Sequence, residues 1–262
     1  MRHFPPRRLI CLTEETVETL YLLGEQDRIV GVSGYAVRPP EVRLKPRVGA
    51  FTSARLDKIL ALEPDLVLAF SDLQADIVSD LAKAGVAVHL FNQRDLTGIF
   101  AMIRTVGALI GESGKAETLA RTLEERVAAA VRDTCNVMHR PRVYFEEWND
   151  PMISAIGWVS ELIEVAGGVD VFAPLRSAPG ARERIVTSEA VIAARPDLIL
   201  ASWCGKKVVP RQIADRPGWA AVPAVANKRI VEIKSTLILQ PGPAALTDGL
   251  DAIRAAIRAA LR

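Results

Sequence analysis

Residues 57–69 (DKILALEPDLVLA) return 132 positions later as residues 189–201 (EAVIAARPDLILA), with six of the thirteen positions identical and four more conservatively exchanged. Each copy reads the same way. A short amphipathic helix ends at Pro64 or Pro196, because the residue before proline is pushed out of the α region. Asp65 or Asp197 follows, and then an apolar run of the kind buried on both faces of a parallel sheet. Two such units in one chain predict two similar α/β lobes. Two facing lobes make a cleft, and function is expected there.

The 262 residues suffice for two modest cores. Half of them are apolar and 24% are charged, as in an ordinary globular protein. A net charge of +2 does not predict binding to nucleic acid or to a membrane surface. Cys11, Cys135 and Cys204 are odd in number and lack C-x-x-C spacing, so neither a disulfide framework nor a structural metal site is expected. No run approaches the ~20 apolar residues of a membrane span, so no membrane insertion is expected. The opening MRHFPPRRLICLTEET has no apolar stretch of export-signal length. As written, the chain reads as cytoplasmic; a periplasmic protein would need a leader outside this sequence.

Strands are predicted at 9–12, 29–32, 66–70 and 86–91, alternating with helices at 13–24, around Asp57, at 74–84 and at 97–110. That alternation describes a doubly wound lobe over residues 1–112. Residues 113–135 contain no proline, and Ala116, Leu119, Leu123, Val127, Ala130 and Val131 form a stripe at helical spacing. This helix would be roughly 30 Å long, a stiff connection over 113–138. The second lobe, 139–262, repeats the pattern with strands at 143–146, 198–201 and 229–233, a helix from Trp158 to Ala166 and a final helix at 244–261. The predicted fold class is therefore α/β, two Rossmann-like lobes joined by one long α-helix with a ligand cleft between the lobes.

In open α/β sheets, ligands bind beyond the carboxyl ends of the strands. In the first lobe this rule selects 13–15, 33–35 with Tyr35, Phe51 and Thr52, Phe70 and Ser71, and Phe91 and Asn92. In the second it selects 146–149 with Glu147, Trp148 and Asn149, then 203–206 with Trp203, Cys204 and Lys206, and 236–240 with Gln240. All four tryptophans fall in the second half, although aromatics make up only 5% of the chain. Trp148 and Trp203 follow strand ends and Trp158 opens the next helix, which suggests a flat apolar wall. Trp219, in the turn-like Pro217-Gly218-Trp219, reads as core. Glu146 and Glu147 are adjacent carboxylates at a strand end, one expected to face the cleft and the other the interior. Cys204 could act as a nucleophile with Glu147 or Lys206, but none of His3, His89 and His139 is placed to serve as its base. No G-x-G-x-x-G follows Leu12. Gly111-Glu-Ser-Gly114-Lys115 lacks both the first glycine and the Ser/Thr of a phosphate loop. No catalytic residue, metal site or resident cofactor is expected, and the chain reads as a binding protein.

GVSGY at 31–35 with Pro39-Pro40, both A-x-x-P-D repeats, the long helix, YFEEWNDP at 144–151, WVSELIEVAGG at 158–168, SWCGKK at 202–207 and QPGP at 240–243 carry a resemblance. Together they resemble the helical-backbone (class III) substrate-binding proteins of ABC importers, which capture cobalamin, ferric siderophores and haem. The likeness spans nearly the whole chain and is closest to the cobalamin-binding branch. It implies a non-enzymatic monomer that delivers a corrinoid to a permease/ATPase complex. Trp148, Trp158, Trp203, Tyr35 and Phe70 would stack on the ring, with Asn149, Glu147 and Ser71 for its amides and no bond to cobalt needed. An iron chelate or haem is the neighbouring expectation, with Arg38, Arg182 and Arg184 available to anionic groups. A cytoplasmic corrinoid-handling role is another. The resemblance also implies docking on the transporter through an exposed acidic residue of each lobe. Asp72 or Asp76 fits in the first, while the corresponding stretch of the second reads Leu237-Ile-Leu-Gln240.

Overall fold

The computed structural model describes residues 4–135 and 137–262. The chain divides into two compact units, one formed by Met1–Gln93 with Thr97–Glu124 and the other by Arg94–Leu96 with Glu125–Arg262. The first holds strands β1 (Leu9–Cys11), β2 (Ile29–Ser33), β3 (Arg47–Gly49), β4 (Leu66–Phe70) and β5 (Val88–Phe91) in one parallel sheet of order β3-β2-β1-β4-β5. Helices α1 (Glu14–Leu22), α2 (Leu56–Ala61), α3 (Ala75–Lys83) and α4 (Leu96–Leu109) connect or follow these strands. The central strands β1 and β4 are buried along their whole length, as continuous apolar runs in a covered parallel sheet should be.

Helix α5 (Ser113–Thr134) spans 22 residues, ending one short of the proline-free stretch at 113–135. It contributes 113–124 to the first unit and its remainder to the second. At the first end, Gly107 of α4 lets the two helices touch, since a Cβ there would lie 2.1 Å from the Cβ of Ala116. Arg104 bridges Glu117 and Glu124 along the same face, at 2.7 Å each. The second end is held by the Arg126–Asp251 and Arg254–Asp133 pairs.

The second unit contains β6 (Arg142–Glu146), a small antiparallel hairpin of β7 (Trp148–Asn149) and β8 (Met152–Ile153), then β9 (Val169–Asp170), β10 (Leu198–Ala201) and β11 (Ile230–Glu232). Its main sheet is parallel with order β11-β10-β6-β9. Around it lie α6 (Gly157–Val165), α7 (Ser188–Ala194), the short α8 (Pro210–Ala214), α9 (Pro223–Ala226) and α10 (Ser235–Ile238), and finally α11 (Leu250–Ala260). The last helix opens as a π-helical turn, Ala245–Gly249, a departure from the uniform helix expected there. Strands β3 (RVG), β7 (WN), β8 (MI) and β9 (VD) also escape sequence reading, because none lies in an apolar run long enough to mark a strand.

The repeat is reproduced down to individual atoms. In each unit the repeated strand pairs with the unit's first strand, Leu66 opposite Leu9 and Leu198 opposite Val143. The residue before each proline leaves the right-handed α region in the same way, Glu63 at φ 45° and Arg195 at φ 44°. The Asp65 carboxylate accepts hydrogen bonds from the backbone N–H groups of Arg7 (2.9 Å) and Arg8 (3.0 Å). Asp197 accepts from the N–H of Arg142 (2.8 Å). The arginine side chains return the favour: Arg8 donates to the carbonyls of Leu62 (2.6 Å) and Glu63 (3.1 Å), and Arg142 to Ala194 (2.9 Å). Leu62 and Ala194 are equivalent positions of the repeat, so each arginine satisfies carbonyls that the helix end leaves open.

Because charge-assisted bonds to a backbone amide contribute about 1.5–3 kcal/mol, Asp65→Ala and Asp197→Ala should each lower unfolding stability by roughly that amount. Urea denaturation monitored by circular dichroism checks this; a loss confined to a few tenths of a kcal/mol at both sites would refute the clamp.

Candidate functional site

The strand order of each unit reverses beside its first strand. In the first unit β1 neighbours β2 on one side and β4 on the other; in the second, β6 lies between β9 and β10. In open α/β sheets such a reversal is where ligands bind, beyond the carboxyl ends of the strands. Both reversal points carry a buried glutamate.

In the second unit that residue is Glu146, fully buried at the end of β6. It accepts two bonds from the Arg216 guanidinium (2.5 and 3.0 Å), one from the Trp203 indole N–H (3.1 Å) and one from the Tyr144 hydroxyl (3.2 Å). Burial and the adjacent Glu146 charge push the Tyr144 phenol well above its ordinary range. Arg216 also reaches the Asn149 carbonyl (3.4 Å) and the Met152 sulfur (3.2 Å) and lies over the Trp219 ring, 4.8 Å from its centre. It thereby fastens the β7–β8 hairpin to the sheet. A second pair fastens the other side: Glu147 accepts from Arg184 at 2.6 Å, and Arg184 also donates to the Ser154 carbonyl.

These pairs change the expected role of the Glu146-Glu147 motif. Alternation does turn the two carboxylates apart, but Arg184 takes Glu147, leaving it committed to the hairpin rather than to a ligand amide. Arg184 is likewise committed and only 2% exposed, so it is no free cation for an anionic chelate. Of the three histidines, His89 sits on β5 against Phe91, His139 is exposed in the second unit, and His3 lies outside the described residues.

The aromatic wall shrinks to one member. Trp158 is buried and donates its indole N–H to the Ile238 carbonyl at 2.8 Å. Its neighbours Val159, Leu162 and Ile163 are buried too, so its place on the apolar face of α6 was a readable signal. Trp203 is buried in the same core as Trp219, its N–H spent on Glu146. Trp219 is core as expected and donates to the Ser188 hydroxyl (2.7 Å). Neither Trp158 nor Trp203 offers a face for stacking. Trp148 alone is partly exposed, its N–H held by the Asp150 carbonyl at 2.8 Å. Beside it, the Asn149 amide oxygen is shielded and has no hydrogen-bond partner, and the same is true of the Ser202 hydroxyl. Lys206 places its ammonium 4.0 Å from the Trp148 ring centre and 5.2 Å from that of Trp203. Cys204 is exposed on the same turn, and Gln240 is half-buried after α10.

In the first unit, Tyr35 is 52% exposed beyond β2 and Phe51 is half-buried. Phe70 and Ser71 are buried, so they are unavailable as ring and amide contacts. Ser71 instead caps the following turn by accepting from the Leu73 N–H at 3.3 Å, with φ 65°. Gln74, which sequence reading passed over, joins three strand ends: it accepts from the Phe70 N–H (3.0 Å) and donates to the carbonyls of Phe51 (2.8 Å) and Leu12 (3.4 Å). An amide in the first turn after a strand was the only signal for it. Asp72 and Asp76 are exposed on that turn and at the start of α3.

Glu15 marks the first unit's reversal point. It is 1% exposed and accepts from the Thr13 hydroxyl at 2.5 Å, while its second oxygen has no hydrogen-bond partner. Burial raises its pKa to about 8, with the neighbouring Glu14 charge adding to the shift.

The chain belongs to the periplasmic binding protein family, whose model matches residues 9–237. Members are non-enzymatic solute-binding components of transport. An uncharacterized ABC transporter substrate-binding lipoprotein of Bacillus subtilis is 26% identical over 96% of this chain and 80% of its own length. A cobalamin-binding protein of Halobacterium salinarum is 26% identical over 91% of this chain, which spans 66% of that relative. Among solved structures, the periplasmic heme-binding protein of Roseiflexus sp. RS-1 is 27% identical with a TM-score of 0.82, covering 96% of this chain and 99% of that one. Among the described residues no helix is long and apolar enough to cross a membrane, and no group of three or more His, Cys, Asp or Glu could hold a metal ion.

Between pH 4.5 and about 8 the folded chain holds a proton on Glu15 that an unfolded glutamate has released. Stability must therefore fall as pH rises through that window, by an amount on the order of a few kcal/mol, and level off above it. Glu15→Gln should remove most of this slope, leaving a smaller one from Glu14, which burial shifts in the same direction. Denaturant midpoints measured from pH 5 to 8.5 check it; parallel curves for the two proteins would contradict it.

Proposed function

We propose that the chain is the substrate-binding component of an ABC import system and that its ligand is a corrinoid. The observation carrying this reading is the Trp148–Asn149 platform at the end of β6, fixed by the Glu146–Arg216 and Glu147–Arg184 pairs. An indole locked by buried ion pairs meets a broad flat ring at little cost in side-chain entropy. Asn149, partly exposed beside that indole, is an amide of the kind that pairs with the amide side chains around a corrin ring. The cobalamin-binding relative supports the same choice. Asp72 and Asp76 are the residues proposed to meet the permease, and the lipoprotein relative favours a site of action outside the cytoplasmic membrane.

A second reading, haem, rests on Tyr35, whose exposed phenol beyond β2 could serve as an axial ligand to iron. The heme-binding relative in the solved structures supports it.

Calorimetric titration with cyanocobalamin should give saturable binding, weakened about 2- to 12-fold by Trp148→Ala, the range of one ring contact. Tyr35→Phe should leave it little changed. If cyanocobalamin gives no heat while haemin binds with a phenolate charge-transfer band that Tyr35→Phe abolishes, the haem reading replaces the corrinoid one.

A further inference from the structure

The face of Trp148 is not empty. Lys206 rises from the exposed turn after β10 and holds its ammonium 4.0 Å above that ring. Among the described residues no carboxylate pairs with it; Glu232 accepts the Val208 N–H at 3.0 Å. The Lys206 ammonium faces the π-systems of the two indoles instead. Such a contact at an exposed site is weak, and the four-carbon stem lets the ammonium swing aside. The ring beneath it cannot follow, because the Asp150 carbonyl and the Arg216 clamp hold the hairpin.

A flat ligand that lands on Trp148 must therefore displace Lys206 towards the ligand's own rim. If the rim is neutral, the ammonium exchanges its π partner for a neutral carbonyl or solvent, with little net gain. If the rim carries an anion, the displaced ammonium gains a charge-assisted hydrogen bond, stronger than the contact it gave up. We propose that Lys206 is a displaceable occupant of the Trp148 face that makes the site select flat macrocycles bearing an anionic group at the ring edge. This rests on the macrocycle-binding function proposed above and adds a charge requirement to it. On a corrinoid the anion is the phosphate of the nucleotide loop, and on a porphyrin it is a carboxylate.

The test uses the full chain and two ligand pairs: cyanocobalamin with dicyanocobinamide, which lacks the phosphate, and a metalloporphyrin dicarboxylate with its dimethyl ester. Affinities are read from tryptophan quenching for the native protein, Lys206→Met and Lys206→Arg. In Lys206→Met the anionic member should weaken about fivefold and the neutral member tighten about threefold, reflecting the lost charge-assisted bond and the uncovered ring. Lys206→Arg should keep the native order. The pair in which this crossing occurs identifies the source of the anion. A Lys206→Met variant that shifts both members of each pair alike, or neither, overturns the role of Lys206 while leaving macrocycle binding intact. No binding of any probe by the native protein overturns both.

Discussion

An aspartate after a proline, bonded to the backbone of the neighbouring strand, is what the rest of this molecule depends on. Asp65 and Asp197 each receive the N–H groups at the start of their unit's first strand, and Arg8 and Arg142 close the preceding helix from the other side. This clamp sets the register of β4 against β1 and of β10 against β6. A slip of one residue would break these bonds and exchange the two covered faces of the strand. Because both strands are buried, the carboxyl ends that carry the loops are placed by the clamp as well.

Rigidity in the second unit comes from charges at the edge of a core. Glu146 would be costly to bury alone, yet with Arg216, Trp203 and Tyr144 its hydrogen-bonding capacity is filled. The same bonds immobilise the hairpin, so the network that satisfies a buried carboxylate also presents Trp148. Glu15, in the first turn of the helix after β1, is accommodated differently: the Thr13 hydroxyl donates to it, and burial raises its pKa to about 8. An arginine reaches the buried carboxylate of the second unit and none bonds that of the first, so the two are accommodated by different partners.

Much of the fold was legible from apolar runs, prolines and the internal repeat. The principal strands of both sheets and the long helix lie within a few residues of where periodicity puts them. The short strands and helices α8–α10 were not, since their conformation follows from what they pack against. The site was less legible. Tryptophan near a strand end is a composition signal, and composition does not distinguish a ring that faces solvent from one such as Trp158 whose N–H is spent on a carbonyl of α10. Likewise, nothing in the spacing of Glu147 and Arg184, 37 residues apart, announces their pairing.

By itself the sequence determined two α/β units of common design, because hydrophobic period and the A-x-x-P-D motif act locally and need no knowledge of distant residues. It also singled out the strand-end loops as the expected place for binding residues. Only the tertiary structure decided which of those residues remain available. Trp158, Trp203, Phe70 and Ser71 disappear into cores and caps, Glu147 is taken by an arginine, and Trp148 stays accessible under Lys206. Burial and pairing are long-range outcomes of packing, so each side chain's role depends on partners that its own segment does not contain.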